Sequence, residues 1–300
     1  MSSRYCQLCG QAASRGSRLY HHPRWPAGRR LLVCPDCQAK KPRCQACGLP
    51  MTSQLPGGIC STCASEIPIC RACGKAITNG AAGVVIEGAG TYCAECAHAR
   101  KTCDICGGPL TDERWLLSDG RVSCAHCHAS AIYTPTEATR LLEKVRQAAH
   151  GLGLILNVPT GLALVDRRQL AEIIQQQMVD APPGEALDPD RTLGLYARRG
   201  IKRAIYVQSG LPRNLLFQIA AHEFAHAWQG ENCPLLKDPL VREGFAEWLA
   251  YTLLGQLQLT QQQRQMAART DLYGDGLRWA QGIVTRQGMP GLLAACRQSG

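Results

Sequence analysis

No stretch of this chain approaches the ~18–20 uninterrupted apolar residues that a helical membrane span needs, although 45% of its 300 residues are hydrophobic. The start, Met1-Ser-Ser-Arg-Tyr-Cys6, lacks the apolar core of a secretory signal. Both absences argue against a secreted or membrane protein and make a cytoplasmic one the expectation. Aromatic residues are scarce at 5%, and no dense Lys/Arg run is interleaved with them. The usual footprint of a nucleic-acid binder is therefore missing. Cysteine, by contrast, is abundant. In a reducing compartment thiols stay free, so the 18 cysteines pose a question of metal before one of disulfides.

Sixteen of the 18 lie between Cys6 and Cys127, as eight C-x-x-C pairs: Cys6/Cys9, Cys34/Cys37, Cys44/Cys47, Cys60/Cys63, Cys70/Cys73, Cys93/Cys96, Cys103/Cys106 and Cys124/Cys127. The odd pairs are followed by glycine (Gly10, Gly48, Gly74, Gly107) and the even pairs are not. This is a fourfold internal repeat. The gaps within the copies are 24, 12, 19 and 17 residues, and the gap between copies is six every time. Two C-x-x-C turns supply four thiolates, a closed tetrahedral shell of the structural-zinc kind. The expectation is four structural zinc sites. Histidines 21, 22, 98, 126 and 128 lie beside these pairs, where each could replace a cysteine. Cys233 and Cys296 stand outside the pattern and read as structural thiols.

Metal also revises the charge. The formal net charge is +10, with +7 of it in residues 1–130. Sixteen thiolates and four divalent ions together remove eight charges, leaving that segment near −1. The basic balance is weak support for a nucleic-acid partner.

Composition changes at about residue 130, giving two expected domains, 1–130 and 131–300. Residues 131–136 read as a linker with Thr136 as helix cap. Helical spacing follows over 136–150 and 168–178, strands over 161–165, 193–197 and 203–208, and a Pro-rich loop over 180–190. Helices are expected over 212–229, 240–257, 260–270, 275–287 and 290–297. The second domain therefore reads as α+β and mainly helical. An edge strand at 203–208 would suit β-addition of an extended peptide.

The helix at 212–229 carries His222-Glu-Phe-Ala-His226. Histidines at i and i+4 share a helix face and can reach one metal, with Glu223 beside them to hold a water. A catalytic zinc takes three protein ligands and keeps one position open. Glu243 and Glu247 open the next helix at i, i+4. Their spacing from the motif is similar to that of zinc peptidases of the gluzincin kind, and this likeness implies Glu243 as third ligand and Glu247 as hydrogen-bond partner of His222. Glu223 is then the expected general base. No third histidine follows His226, which excludes a three-histidine site within the chain. Tyr251, Tyr273 and Arg278 are the candidates for stabilising an oxyanion.

Gly210-Leu-Pro-Arg213, Ala220-Ala-His222-Glu-Phe-Ala-His226-Ala-Trp228, and Glu243-Gly244 followed by Leu249-Ala250 resemble the LIM-domain, ubiquitin-activated peptidases that limit organ growth in plants, and their bacterial relatives. Leu164-Val-Asp-Arg-Arg-Gln-Leu170 and Arg191-Thr-Leu-Gly194 extend the likeness over about 136–296. The resemblance implies a zincin-like metallopeptidase domain that binds one catalytic zinc and hydrolyses protein substrates. It also implies LIM-like or zinc-ribbon-like modules that recruit protein partners. LIM modules are usually spaced by two residues rather than six, and no acidic ubiquitin-interacting segment precedes Cys6, so ubiquitin dependence is not carried over. The alternative is a zinc-ribbon nucleic-acid binder or scaffold whose second domain is inactive.

Overall fold

The computed structural model describes residues 4–53, 55–78, 83–86, 89–99, 101–178, 192–200 and 202–298. The loop expected at 180–190 lies outside them. The chain parts into two compact units, Met1–Asp112 and Glu113–Gly300.

The first unit is built from short pieces: β1 (Arg18–Tyr20), β2 (Leu31–Val33), α1 (Pro35–Lys40), α2 (Ser61–Ala64), β3 (Val84–Ile86), β4 (Gly90–Tyr92) and α3 (Ala94–Ala99). Each knuckle closes when the glycine N–H returns to the carbonyl of the first cysteine, at 2.8 Å for Gly10→Cys6, Gly48→Cys44 and Gly74→Cys70. These glycines have φ of +76°, +71° and +69°, a left-handed backbone that side chains resist. The second pair of each copy opens a short helix. Hairpins β1–β2 and β3–β4 are antiparallel. The second copy, with the shortest spacing, has isolated bridges, Arg43 to Pro50 and Leu55 to Ile59, and no hairpin among the described residues. Cysteines supply much of the apolar packing: Cys6, Cys34 and Cys37 pack with Val33, Cys44 and Cys63 with Met51 and Ile59, and Cys70 and Cys96 with Ile77 and Tyr92. Cores this small lean on metal for stability.

The second unit begins with β5 (Arg114–Leu116), β6 (Val122–Cys124), α4 (Ala125–Ala129) and β7 (Ala131–Ile132). It continues with α5 (Pro135–Gly151), β8 (Gly161–Val165), α6 (Arg167–Met178), β9 (Gly194–Arg199), β10 (Lys202–Gln208) and β11 (Leu211–Pro212). Four helices follow: α7 (Arg213–Asn232), α8 (Pro239–Gln256), α9 (Thr260–Ala268) and α10 (Leu272–Gln298). Thr134, not Thr136, caps α5, its hydroxyl accepting the Glu137 N–H at 3.3 Å with Pro135 as first helical residue. Gly288, at φ +66°, breaks α10 into two helices.

The sheet order is β8-β10-β9, with β10 parallel to β8 and antiparallel to β9. The edge expected at 203–208 is thus the centre of the sheet, because both faces of its ladder are taken. The strand that borders it on the α7 side is β9.

Two helices carry most of the core. Phe224, Phe245, Leu216, Leu249 and Leu253 are fully buried, and the rings of Trp228 and Phe245 stack at 5.2 Å. Helices α8 and α10 meet backbone to backbone, since a Cβ on Gly244 would lie 2.6 Å from the Gly276 carbonyl oxygen. That approach sets the start of α10 beside Glu243. No described helix is long and apolar enough to cross a membrane.

Candidate metal centres

Three sulfur-rich groups lie wholly in the first unit. Cys6, Cys9, Cys34 and Cys37 lie within 4.8 Å of one another, as do Cys70, Cys73, Cys93 and Cys96. The second group brings Cys47, Cys60 and Cys63 together with His22 at the same range. Cys44 sits at that centre too, its sulfur accepting the Cys60 N–H at 3.3 Å. The twelve cysteines of these copies are thiols with no disulfide among them. Their spacing is informative. Sulfurs of Cys9 and Cys34 are 3.7 Å apart, those of Cys47 and Cys60 3.8 Å, and those of Cys73 and Cys93 3.9 Å. Zinc–sulfur bonds of ~2.3 Å give a tetrahedral edge of about 3.8 Å. Of the remaining pairs, Cys103 and Cys106 stand on a knuckle of the first unit, and in the second unit Cys124 ends β6 and Cys127 lies in α4.

Electrostatics within these groups point the same way. Burial alone would raise each thiol, yet Cys6, Cys44 and Cys70 are lowered to about 6 because backbone N–H groups aim at their sulfurs. Their partners Cys37 and Cys96 are pushed up to about 12 by burial and by the neighbouring sulfurs. One thiolate forms readily and suppresses the rest. A divalent cation removes that conflict, so these donor sets fit zinc.

The second unit holds a different donor set. Along α7 the two histidines face one way, and α8 brings Glu243 across to them; His222, His226 and Glu243 lie within 4.8 Å of one another. The two Nε2 atoms are 3.0 Å apart, and the Glu243 Oε2 lies 3.2 Å from that of His222 and 3.4 Å from that of His226. One outer ring nitrogen is hydrogen-bonded, and the other stands within ion-pair range of a carboxylate without hydrogen-bond geometry. His226 Nδ1 donates to the Gln229 Oε1 at 2.9 Å, and Gln229 in turn donates to the Arg242 carbonyl at 2.9 Å. His222 Nδ1 lies 3.1 Å from Glu247 Oε1. With protons on both Nδ1 atoms, both Nε2 lone pairs face a carboxylate oxygen and each other. Three acceptors aimed at one point need a cation, and at ~2.0–2.1 Å per bond a tetrahedral edge is about 3.4 Å. The set fits zinc.

Charge confirms how tightly the group is bound to itself. Burial would lower the His222 pKa, but the carboxylates of Glu243 and Glu247 raise it well above imidazole's ordinary value; His226 is raised against burial chiefly by Glu243. Burial would raise Glu243, yet the two imidazoles hold it far below the carboxylate range. Arg242 lies against its other oxygen, Nε at 3.1 Å and Nη2 at 3.0 Å from Oε1. Arg269 reaches Glu247 Oε1 at 3.9 Å.

Glu223 is 7% exposed, and its Oε2 accepts the Tyr196 backbone N–H from β9 at 2.7 Å. Gly194 makes room for it: a Cβ there would lie 2.3 Å from Ile219 Cγ2 and 3.3 Å from Glu223 Oε1. The Tyr273 ring stands 5.9 Å from the His222 ring, and burial with the nearby Glu243 pushes its phenol up to about 12. Arg278 spends its guanidinium on Asp275 and the Arg269 carbonyl.

Sequence reasoning left Gln229, Arg242 and Tyr196 unnamed and gave Gly194 no role beyond its place in the family likeness. Gln229 follows His226 by three, a shared-face spacing that offered a signal. The backbone of Tyr196 and the bare Cα of Gly194 offered none, because strand-to-helix proximity is a tertiary fact.

Known proteins supply a partial likeness. The chain is 29% identical over 174 residues to Protein DA1-related 1 of Arabidopsis thaliana, covering 49% of this chain and 31% of the relative. It is 28% identical over 166 residues to Protein DA1-related 2 of the same plant, covering 47% and 31%. It is also 28% identical over 146 residues to LIM domain-containing protein HDR3 of Oryza sativa subsp. japonica, covering 40% and 29%. The matches therefore span about a third of the length of these curated relatives. No family model matches, and no solved structure does.

Proposed function

We propose that this chain is a zinc-dependent endopeptidase whose cysteine array recruits or positions protein partners. The observation that carries the reading is the convergence of His222 Nε2, His226 Nε2 and Glu243 Oε2 on one point with Glu223 on the adjoining helix turn. Those three residues would hold the ion, leaving one position for reactants. The chemistry a bound zinc supplies is Lewis-acid polarisation of the scissile carbonyl and the attacking water. Glu223 takes the proton from that water and returns it to the departing amide nitrogen. The Tyr196 N–H fixes its carboxylate, Gln229 fixes the His226 ring, and Glu247 stands 3.1 Å from the His222 ring. Tyr273, whose ring stands 5.9 Å from that of His222, is our candidate donor to a developing oxyanion. An extended protein substrate would lie along β9, the strand nearest Glu223.

The closed thiolate groups do no chemistry, so the array serves binding. The likeness to proteins named DA1-related and LIM domain-containing supports a LIM-type zinc protein of this general organisation.

Elemental analysis of the purified chain, combined with cleavage of an unstructured protein such as casein, tests the reading. We expect about five zinc ions per chain, one of them lost in His222→Ala. Glu223→Gln should keep that ion and lose cleavage by about 10²–10⁴-fold. Cleavage by Glu223→Gln at the wild-type rate would overturn it.

A further inference from the structure

The four copies of the cysteine repeat are unequal in a telling way. The first has the longest internal spacing, 24 residues, and the second the shortest, 12. Hairpin β3–β4 of the third copy packs Ile86 and Tyr92 against its own cysteines, whereas the described residues of the second copy form isolated bridges, Arg43–Pro50 and Leu55–Ile59. The surplus of the first copy lies in the segment between β1 and β2, and that segment folds over the second.

Its contacts are specific. Trp25 Nε1 donates to Thr62 Oγ1 at 3.2 Å, and Arg24 pairs with Glu66 at 2.5 Å. The Arg29 guanidinium lies 5.0 Å over the Trp25 ring. Beneath them His22 is 2% exposed, with Nε2 at 3.3 Å from the sulfur of Cys63. Five donors thus crowd one centre where a tetrahedral ion takes four: Cys44, Cys47, Cys60, Cys63 and His22.

The other ring nitrogen resolves the excess. His22 Nδ1 accepts the backbone N–H of Arg24 at 3.1 Å. An accepting Nδ1 carries no proton, so in the neutral ring the proton is on Nε2, which faces the sulfur. A ligating Nε2 would require the reverse, a proton on Nδ1 where a donor already points.

We propose that His22 is not a fifth ligand but a hydrogen-bond donor from the first module to the Cys63 thiolate of the second, and that the 21–25 segment is the cover the short second module lacks. The N–H···S bond stabilises the anionic sulfur against protonation, the step by which such a site releases its ion. It also makes the first two modules one body: the second ion is retained through a residue the first module positions. The inference concerns the array and stands whether or not the second unit cleaves proteins.

The test uses the full chain loaded with cadmium-113 and labelled with nitrogen-15 on histidine. Long-range proton–nitrogen correlation is expected to place the His22 proton on Nε2, with no direct nitrogen–cadmium coupling. His22→Ala should weaken metal retention at the Cys44–Cys63 site by about ten- to hundredfold, read by competition with a chelator. The Cys70–Cys96 site, followed through its own cadmium signal, should release at the wild-type rate. A coupling between cadmium and His22, a proton on Nδ1, or unchanged release from His22→Ala would each overturn the proposal. Should His22→Ala fail to fold, the tautomer measurement on the wild-type chain decides alone.

Discussion

In the array every ion-binding group is made of two turns, and the residues that grip are also the residues that pack. In the second unit two imidazoles and a carboxylate are carried on helices whose core is complete without them. Cys6, Cys34 and Cys37 form their own small core with Val33, whereas His222 and Glu243 sit at the edge of a core owned by Phe224, Phe245 and Leu249. The difference teaches where each ion belongs in the energy balance. In the array, metal binding and folding are one equilibrium. In the helical unit the fold is expected to come first, with its core of Phe224, Phe245 and Leu249 bringing the two imidazoles and the carboxylate together.

Stripping all metal should separate the two regions most sharply. With a strong chelator, amides of residues 4–99 are expected to lose hydrogen-exchange protection almost wholly while those of α7 and α8 keep theirs. Loss of protection in both regions together would erase the contrast. Next in size is Gln229→Ala, which removes the partner of His226 Nδ1. Zinc affinity of the helical centre should fall by about ten- to hundredfold, with the array's content unchanged; competition with a chelator reads both. A smaller effect follows from Gly194→Ala. The new methyl must push Ile219 and Glu223 aside, so stability should drop by about 1–3 kcal/mol in denaturant titration and any cleavage by about tenfold, with zinc retained.

The gentlest probe is pH, applied with and without zinc. In the metal-free chain the raised His222 and His226 contribute stability that is complete below their unfolded value and fades as pH climbs through the raised folded value. The depressed Glu243 contributes stability that is present above its unfolded value and lost in acid. The metal-free helical unit should therefore melt highest in mildly acidic solution and a few degrees lower on the alkaline side. The zinc-loaded unit should gain over that alkaline range, since protons no longer compete for Nε2. Parallel melting curves would remove protonation from the account.

Much of this was legible in the sequence. Eight C-x-x-C pairs announce thiolate groups through chelate spacing alone, and His222 and His226 announce a shared face through helical period. The helices expected over 136–150, 212–229 and 240–257 stand at 135–151, 213–232 and 239–256, with Thr134 rather than Thr136 as the first cap. What could not be read depends on which elements become neighbours. The place of β10 at the centre of its sheet is set by ladder partners on both sides. The reach of His22 into the second module depends on a loop folding back over a turn forty residues on. The bareness of Gly194 has meaning only once Ile219 and Glu223 lie against it.

One consequence of the Arg242 contact concerns choice of ion. With Oε1 engaged by a guanidinium, Glu243 has a single oxygen to offer, and two ring nitrogens supply the rest. Calcium seeks six to eight oxygens and magnesium an octahedron of them, so both find this corner too poor in oxygen and too rich in nitrogen. Small ions that accept imidazole and tolerate four neighbours, zinc and cobalt(II) among them, are favoured. If this corner holds an ion, Arg242 would act as its selector by restricting what its neighbour can give.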